Sequence, residues 1–478
     1  MTKEKRMFKA LKSRYIGDKD FYKSVLSIAV PIMIQNGITN IVSMLDNIMV
    51  GRLNTEAMSG VSIVNQFLFI FYLLIFGAIS GAGIFTSQYF GSGDNEGIRY
   101  TVRFKVIIIL IASVIGISLF AIFDEEIIGL FLHESESSGD LALTLEYGKK
   151  YLAVSLIGLV PFAFANVYAS TMRETGEVLI PMISSLAAVA TNFALNIILI
   201  FGLLGFPALG VVGAAIATVI SRFVECFILV IYAHTHKERF PFIASLYSSL
   251  LMPKGLFKRI TLKGVPLMLN EFFWAMAMTL RNQCYSTRGL DVVAAQNISS
   301  TVFNVFSVVY MALGSSVAII VGKILGSGDI ERAKDTDRKM IALSIFSGLA
   351  MTAFMVVASL FFPKIYNTTD TAKALASYMM IVSGITMPFN AFANASYFTL
   401  RSGGKVLITM LFDSVYMWVI VMPVSIAFAY FTSVNIFVLF AICQGVDTLK
   451  TIFGAALLKR GTWANVLVGK GERAESEQ

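Results

Sequence analysis

The chain has 478 residues, of which 56% are hydrophobic and 14% charged, with a mean hydropathy of +0.74. That composition excludes a soluble globular domain and a disordered chain and indicates an integral membrane protein. A formal charge of +8 would suggest nucleic acid in a soluble protein. Here the placement of Lys and Arg around apolar spans decides its meaning, and no nucleic-acid partner is expected.

In chain order, Lys3 to Lys23 carries eight Lys or Arg and is expected to lie along lipid headgroups. No short apolar core with a small-residue cleavage site follows, so the first span is expected to stay in the protein. About 20 apolar residues are needed to cross the hydrocarbon core. Twelve such windows are predicted, at about 24–50, 59–83, 102–123, 148–171, 178–201, 208–233, 260–285, 293–322, 338–362, 374–400, 405–430 and 434–458. The fold class is therefore an all-α integral membrane protein of twelve transmembrane helices.

The basic loop from His234 to Lys263 separates six windows from six. The expected organisation is a basic segment 1–23, a first lobe 24–233, a cytoplasmic linker 234–259, a second lobe 260–458 and a tail 459–478. With the N-terminus in the cytoplasm, only Arg52, Lys149, Lys150, Arg288, Lys364 and Lys373 fall on the opposite face, apart from Arg222 and Arg281 inside spans. Both termini are thus predicted to be cytoplasmic, in a plasma-membrane protein. The acidic stretch from Asp124 to Glu146 falls outside, in agreement.

The two sets of six are copies. An offset of 235 residues takes Pro31 to Pro266 and Gly91-Ser92-Gly93-Asp94 to Gly326-Ser327-Gly328-Asp329 without a gap. A third pair, around Pro161 to Gly176 and Pro388 to Gly404, agrees once the intervening loop shortens. Because each copy holds an even number of spans, the repeats are parallel, related by an axis along the membrane normal.

Polar residues within the spans fall in stripes. The first span aligns Asn36, Thr39, Asn40, Ser43, Asp46 and Asn47; the seventh aligns Glu271, Trp274, Met278 and Arg281. The eighth aligns Asn297, Ser300, Thr301 and Asn304, and the tenth Asn390, Asn394, Tyr397 and Arg401. Such stripes either face a polar interior or join helices by hydrogen bonds. Asn36, Asn40, Ser43, Gln66, Trp274, Met278, Arg281, Asn297 and Tyr397 are accordingly candidates for a substrate cavity.

Charges inside spans are sharper signals: Asp46, Arg222, Glu225, Glu271, Arg281, Asp413, Asp447 and Lys450. A carboxylate at a span's centre costs about 2.5–3.5 kcal/mol, so Asp46 is expected to face water or a partner, or else to be hydrated near the span's end. Arg222 with Glu225, and Asp447 with Lys450, are three apart and can neutralise each other on one helix. Arg281 occupies the position in the second copy that Asp46 occupies in the first, and is the in-span cation with no evident partner.

Much chemistry is excluded. No phosphate-binding G-x-x-x-x-G-K-[ST] loop is present, so transport, if it occurs, is secondary. The Gly-Ser-Gly-Asp copies read as turns. No nucleophile, base and orienter stand together, so an enzyme is not expected. Cys226, Cys284 and Cys443 lie in spans and read as core residues; His133, His234 and His236 form no metal cluster. No cofactor is expected.

Twelve spans in two repeats, Pro31 with Leu45-Asp46-Asn47 and Val50-Gly51, and the paired Gly-Ser-Gly-Asp loops together resemble the MATE family of multidrug and toxic compound extrusion transporters. Asn192 to Gly202, Leu209-Gly210-Val211 with Gly213-Ala214-Ala215, and Leu400-Arg401-Ser402-Gly403-Gly404 carry the same likeness, which covers about residues 20–460. The resemblance implies a V-shaped pair of six-helix lobes that exports organic cations in exchange for Na+ or H+. It implies a cation or proton site at Asp46, supported by Asn192, with Asn196 standing where part of the family has a second aspartate. It also points to Glu271 and Asp413 as coupling residues, with Na+ at Asp46 or Glu271 as the only metal.

The expected partners are the lipid bilayer and cationic amphipathic small molecules, and a monomer is expected. A lipid or lipid-linked oligosaccharide flippase is the alternative, with Arg281 as its basic group. A channel or receptor without coupled transport is the alternative of another class.

Overall fold

The computed structural model describes residues 14–129 and 140–469. Most of the basic N-terminal segment, the middle of the acidic stretch after Asp124 and the end of the tail lie outside them. Among the described residues every regular element is a helix. Twelve long helices follow in order: α1 (Lys19–Gly51), α2 (Thr55–Ser92), α3 (Asn95–Ile122), α4 (Leu141–Glu174), α5 (Leu179–Phe201) and α6 (Gly210–Thr235), then α7 (Lys254–Ser286), α8 (Leu290–Gly326), α9 (Ile330–Ser359), α10 (Asp370–Ser402), α11 (Val406–Tyr430) and α12 (Ile436–Arg460).

Eleven of them are long and apolar enough to cross a membrane. The twelfth, α7, has 33 residues, which at 1.5 Å per residue reach about 50 Å. Its apolar character is diluted by Lys254, Lys258, Arg259 and Lys263 at one end and by Glu271 and Arg281 further along. The predicted twelve-helix count is met.

The duplicated turns have one structure. Gly93 (φ 75°) and Gly328 (φ 86°) adopt the left-handed conformation that a β-carbon disfavours. The aspartate that follows caps the next helix: Asp94 accepts from the backbone N–H of Glu96 and Gly97, and Asp329 from that of Arg332. A chain leaving one span is thus turned and restarted as the next within a few residues.

By its contacts the chain forms two compact units. The first comprises Ile34–Thr86 and Asp94–Met268; the second comprises the chain up to Met33, Ser87–Gly93, and the chain from Leu269 onward. This division differs from the division by repeat. Helices α1 and α7 change unit at equivalent places, after Met33 and Met268, which are 235 apart (268 − 33) and two residues beyond Pro31 and Pro266. An internal proline removes a backbone hydrogen bond, so a helix gives way there most readily.

In the second unit, Val25 and Ala29 of α1 pack with Leu313, Val317, Val321 and Leu325 of α8 in one buried cluster. Nearby, the ends of α2 and α8 cross in reciprocal contact. A β-carbon at Gly91 would fall on the carbonyl oxygen of Lys323, and one at Gly326 on that of Gln88. Both pairs obey the 235-residue offset (326 − 91 and 323 − 88), so one contact is used twice. Replacing Gly91 by Ala is expected to force the backbones apart and to cost about 1–3 kcal/mol, as overpacking does. The thermal midpoint of purified protein should fall; an unchanged midpoint would show that the helices separate freely.

The connection after α6 is not a solvated loop. Phe240, Phe242, Ile243 and Leu246 are buried. Arg103 of α3 donates to the carbonyl oxygens of Ser245 (2.9 Å), Leu251 (3.0 Å) and Leu246 (3.1 Å). Tyr168 and Tyr247 meet through their hydroxyls at 2.7 Å, and Arg239 pairs with Glu177. Apolar anchors and an arginine that satisfies otherwise open carbonyls tie the linker to the first unit.

Candidate functional site

Asp46 lies near the end of α1, in the part of that helix that belongs to the first unit. Its Oδ1 accepts from Asn196 Nδ2 at 2.7 Å. Asn192, one turn earlier on α5, completes the group. With one amide orientation its oxygen accepts from Asn196 Nδ2 at 3.1 Å; with the other its nitrogen lies 2.9 Å from Asp46 Oδ1 while its oxygen accepts from Thr218 Oγ1 at 3.2 Å. The helical spacing of four puts both amides on one face of α5. The structure thus gathers Asp46, Asn192 and Asn196, and adds Thr218 of α6.

Asn192 and Asn196 are 6% and 1% exposed, so these amides are removed from bulk water. Asn196 Oδ1 has no donor. A buried carbonyl oxygen without a donor beside a carboxylate is an acceptor set for a small hard cation or for a protonated group. Among the described residues, no group of three or more His, Cys, Asp or Glu could hold a metal ion.

A second network in the same unit extends the Arg222–Glu225 pair to Ser185, Gln35 and Arg173, which the sequence did not single out as site residues. Arg222 NH1 reaches Glu225 Oε2 at 3.4 Å, as the spacing of three predicted. Glu225 Oε1 accepts from Ser185 (2.6 Å), Ser185 from Gln35 (2.8 Å), and Gln35 from Arg173 (3.5 Å). The Arg222 guanidinium also lies 4.9 Å from the Phe162 ring centre and 5.9 Å from that of Tyr72. Lys105 was missed altogether: it is fully buried and donates to Glu174 (2.5 Å), Thr171 (3.1 Å) and Ser170 (3.2 Å). Its signal was a lysine already inside an apolar window.

In the second unit, Glu271 Oε1 accepts from Tyr397 Oη at 2.8 Å. Asp413 accepts from Asn270 Nδ2 at 3.0 Å and lies 3.9 Å from Lys450. Arg281 is not the unpartnered cation that the sequence suggested, because its NH1 reaches Asp447 at 3.4 Å from another helix. Asp447 and Lys450 are paired at 3.1 Å, but within a larger group. Asp337, 4% exposed and accepting from Thr399, is a further buried acid that sequence reading passed over.

The cavity candidates are less uniform. Asn40, Gln66 and Asn297 are exposed and Asn36 is half-buried, whereas Trp274 and Met278 pack against an apolar cluster with Ala277, Tyr416 and Met417. The Ser43 side chain lies outside the described residues.

The MatE family model matches residues 31–198 and 266–431, two stretches whose starts are 235 apart (266 − 31). The chain is 27% identical over 410 residues to the probable multidrug resistance protein NorM of Thermotoga maritima, covering 84% of each chain. It is 25% identical to the probable multidrug resistance protein YoeA of Bacillus subtilis, over 87% of this chain and 88% of that one. Among solved structures, a MATE in complex with MaL6 superposes with a TM-score of 0.81 at 18% identity, over 95% of this chain and 98% of that one. An outward-facing multidrug resistance MATE family transporter of the MOP superfamily gives 0.79 at 19% identity, over 94% and 98%.

Proposed function

Since the chain belongs to the MatE family and is a multi-pass membrane protein related to multidrug efflux transporters, we propose that it exports cationic amphipathic molecules across the cell membrane in exchange for Na+ or H+. The observation that carries the coupling is Asp46, bound by the amides on α5 beside the donorless oxygen of Asn196. The distribution of Lys and Arg supports cytoplasmic termini.

The physical cycle needs few parts. One carboxylate is offered to two kinds of positive charge, the coupling ion and the drug, which therefore compete. An ion that binds one conformation better than the other shifts their populations by no more than that difference in affinity. A swing from 1:99 to 99:1 takes about 10⁴-fold preference, so a site of several fixed oxygens suits the task better than a lone carboxylate.

The flippase alternative rested on Arg281 as an available basic group, and its pairing with Asp447 removes that ground. The test is ethidium export from proteoliposomes with Na+ and proton gradients imposed separately. Export driven by either establishes antiport and names the ion. No export under both overturns the reading.

A further inference from the structure

The second unit encloses four ionised groups on three helices: Asp413 on α11, Asp447 and Lys450 on α12, and Arg281 on α7. Their side chains are 10–17% exposed, so the group is largely shielded yet reachable by an ion. Two acids and two bases sum to zero. The pairing within that balance is uneven. Asp447 has Arg281 at 3.4 Å on one oxygen and Lys450 at 3.1 Å on the other, while Asp413 is paired, among the described residues, with Lys450 at 3.9 Å. Coulomb attraction scales as the inverse of distance, so the two pulls on the lysine differ by about a fifth and it is shared between the acids.

Asp413 is otherwise held for use. Its Oδ2 accepts from Asn270 Nδ2 at 3.0 Å, and Ser414 fixes Asn270 by donating to its backbone and side-chain oxygens at 2.7 Å. Its Oδ1 is the oxygen turned to the lysine, at 3.9 Å. Asp413 also sits in a π-helical turn, Leu411–Val415, followed by a second, Met417–Val421. Such turns are rare inside α-helices and recur at functional sites, because the widened turn admits a change of register.

We propose that Asp413, Lys450 and Asp447 form a second coupling site in which Lys450 is a built-in exchangeable cation. A proton or Na+ taken at Asp413 Oδ1 replaces the lysine, whose ammonium then moves fully to Asp447; on release the lysine returns. No bond to the lysine is broken, and the group's charge rises from zero to one on loading. The remaining charged and titratable neighbours are Glu271 and Tyr285 on α7, Tyr310 on α8, Tyr397 and Arg401 on α10, Tyr416 on α11 and Cys443 on α12. This inference rests on the exporter reading, but its test does not depend on export alone.

The test measures two quantities on wild type, Lys450→Met, Lys450→Arg and Lys450→Met/Asp413→Asn: cations bound by purified protein, as 22Na+ and as protons taken up, and charge moved per substrate in proteoliposomes. Lys450→Met should take its one Na+ or proton at about tenfold lower concentration than wild type, because no ammonium competes for Asp413 Oδ1, with the number bound at saturation unchanged. Lys450→Arg should keep the wild-type affinity, and the double variant should lose this cation. Whichever label is taken up names the ion. Unchanged affinity in folded Lys450→Met overturns the proposal. If that variant does not fold, Asp413→Asn, which keeps the oxygen and size of the side chain, should reduce the coupled charge by one, and an unchanged value overturns it. Wild-type protein that exports nothing refutes the exporter reading and leaves the binding measurement to decide this one.

Discussion

Asp46→Asn should lose ion-driven export while keeping the fold. An asparagine preserves the size of the side chain and still bonds to the amides of Asn192 and Asn196, so the helices need not move. What disappears is the charge. Interactions with an ionised group are worth about 1.5–3 kcal/mol each, which corresponds to about 10- to 150-fold in cation affinity. Coupled export measured in proteoliposomes should fall by at least about tenfold on that scale, with the elution profile and melting temperature unchanged. Export at the wild-type rate would remove Asp46 from the mechanism. Asn196→Ala offers a milder companion, since it deletes both the donor to Asp46 and the donorless oxygen.

Lys105→Met should be among the most destabilising single changes in the chain. Lys105 is fully buried, and its ammonium lies 2.5 Å from the Glu174 carboxylate. Removing one member of a buried pair typically costs about 3–5 kcal/mol, because the other charge is left in a poor solvent. Replacing both members with neutral side chains of similar volume is often neutral or stabilising. The double variant Lys105→Met/Glu174→Leu is therefore expected to recover most of the thermal stability lost in Lys105→Met. The readout is a double-mutant cycle of melting temperatures. Additive losses would show that the pair is not what the lysine contributes.

These two sites were legible to different degrees. Asp46 announced itself, because an acid within an apolar run is expensive wherever it lies. Its partners did not follow from the residues alone: Asn196 is 150 residues away and entered through family resemblance. Lys105 and Glu174 are 69 apart on different helices, and neither stood out, since each sits near an end of its span, where charge is ordinary.

By itself the sequence determined the elements and their duplication. Span length is set by bilayer thickness against the rise of a helix, and Gly93 with Asp94 and Gly328 with Asp329 specify the same turn through a left-handed glycine and a capping carboxylate. Pairs on one helix, Arg222 with Glu225 and Asp447 with Lys450, were equally readable because helical spacing alone brings them together. Only the tertiary structure decided which helices face one another. It gave Arg281 to Asp447, let Lys450 reach Asp413, docked the linker on Arg103 and moved the starts of α1 and α7 into the opposite units. The reason is that periodicity identifies a polar face but not its neighbour; the neighbour is chosen when packing and charge are satisfied together across segments that are distant in the chain.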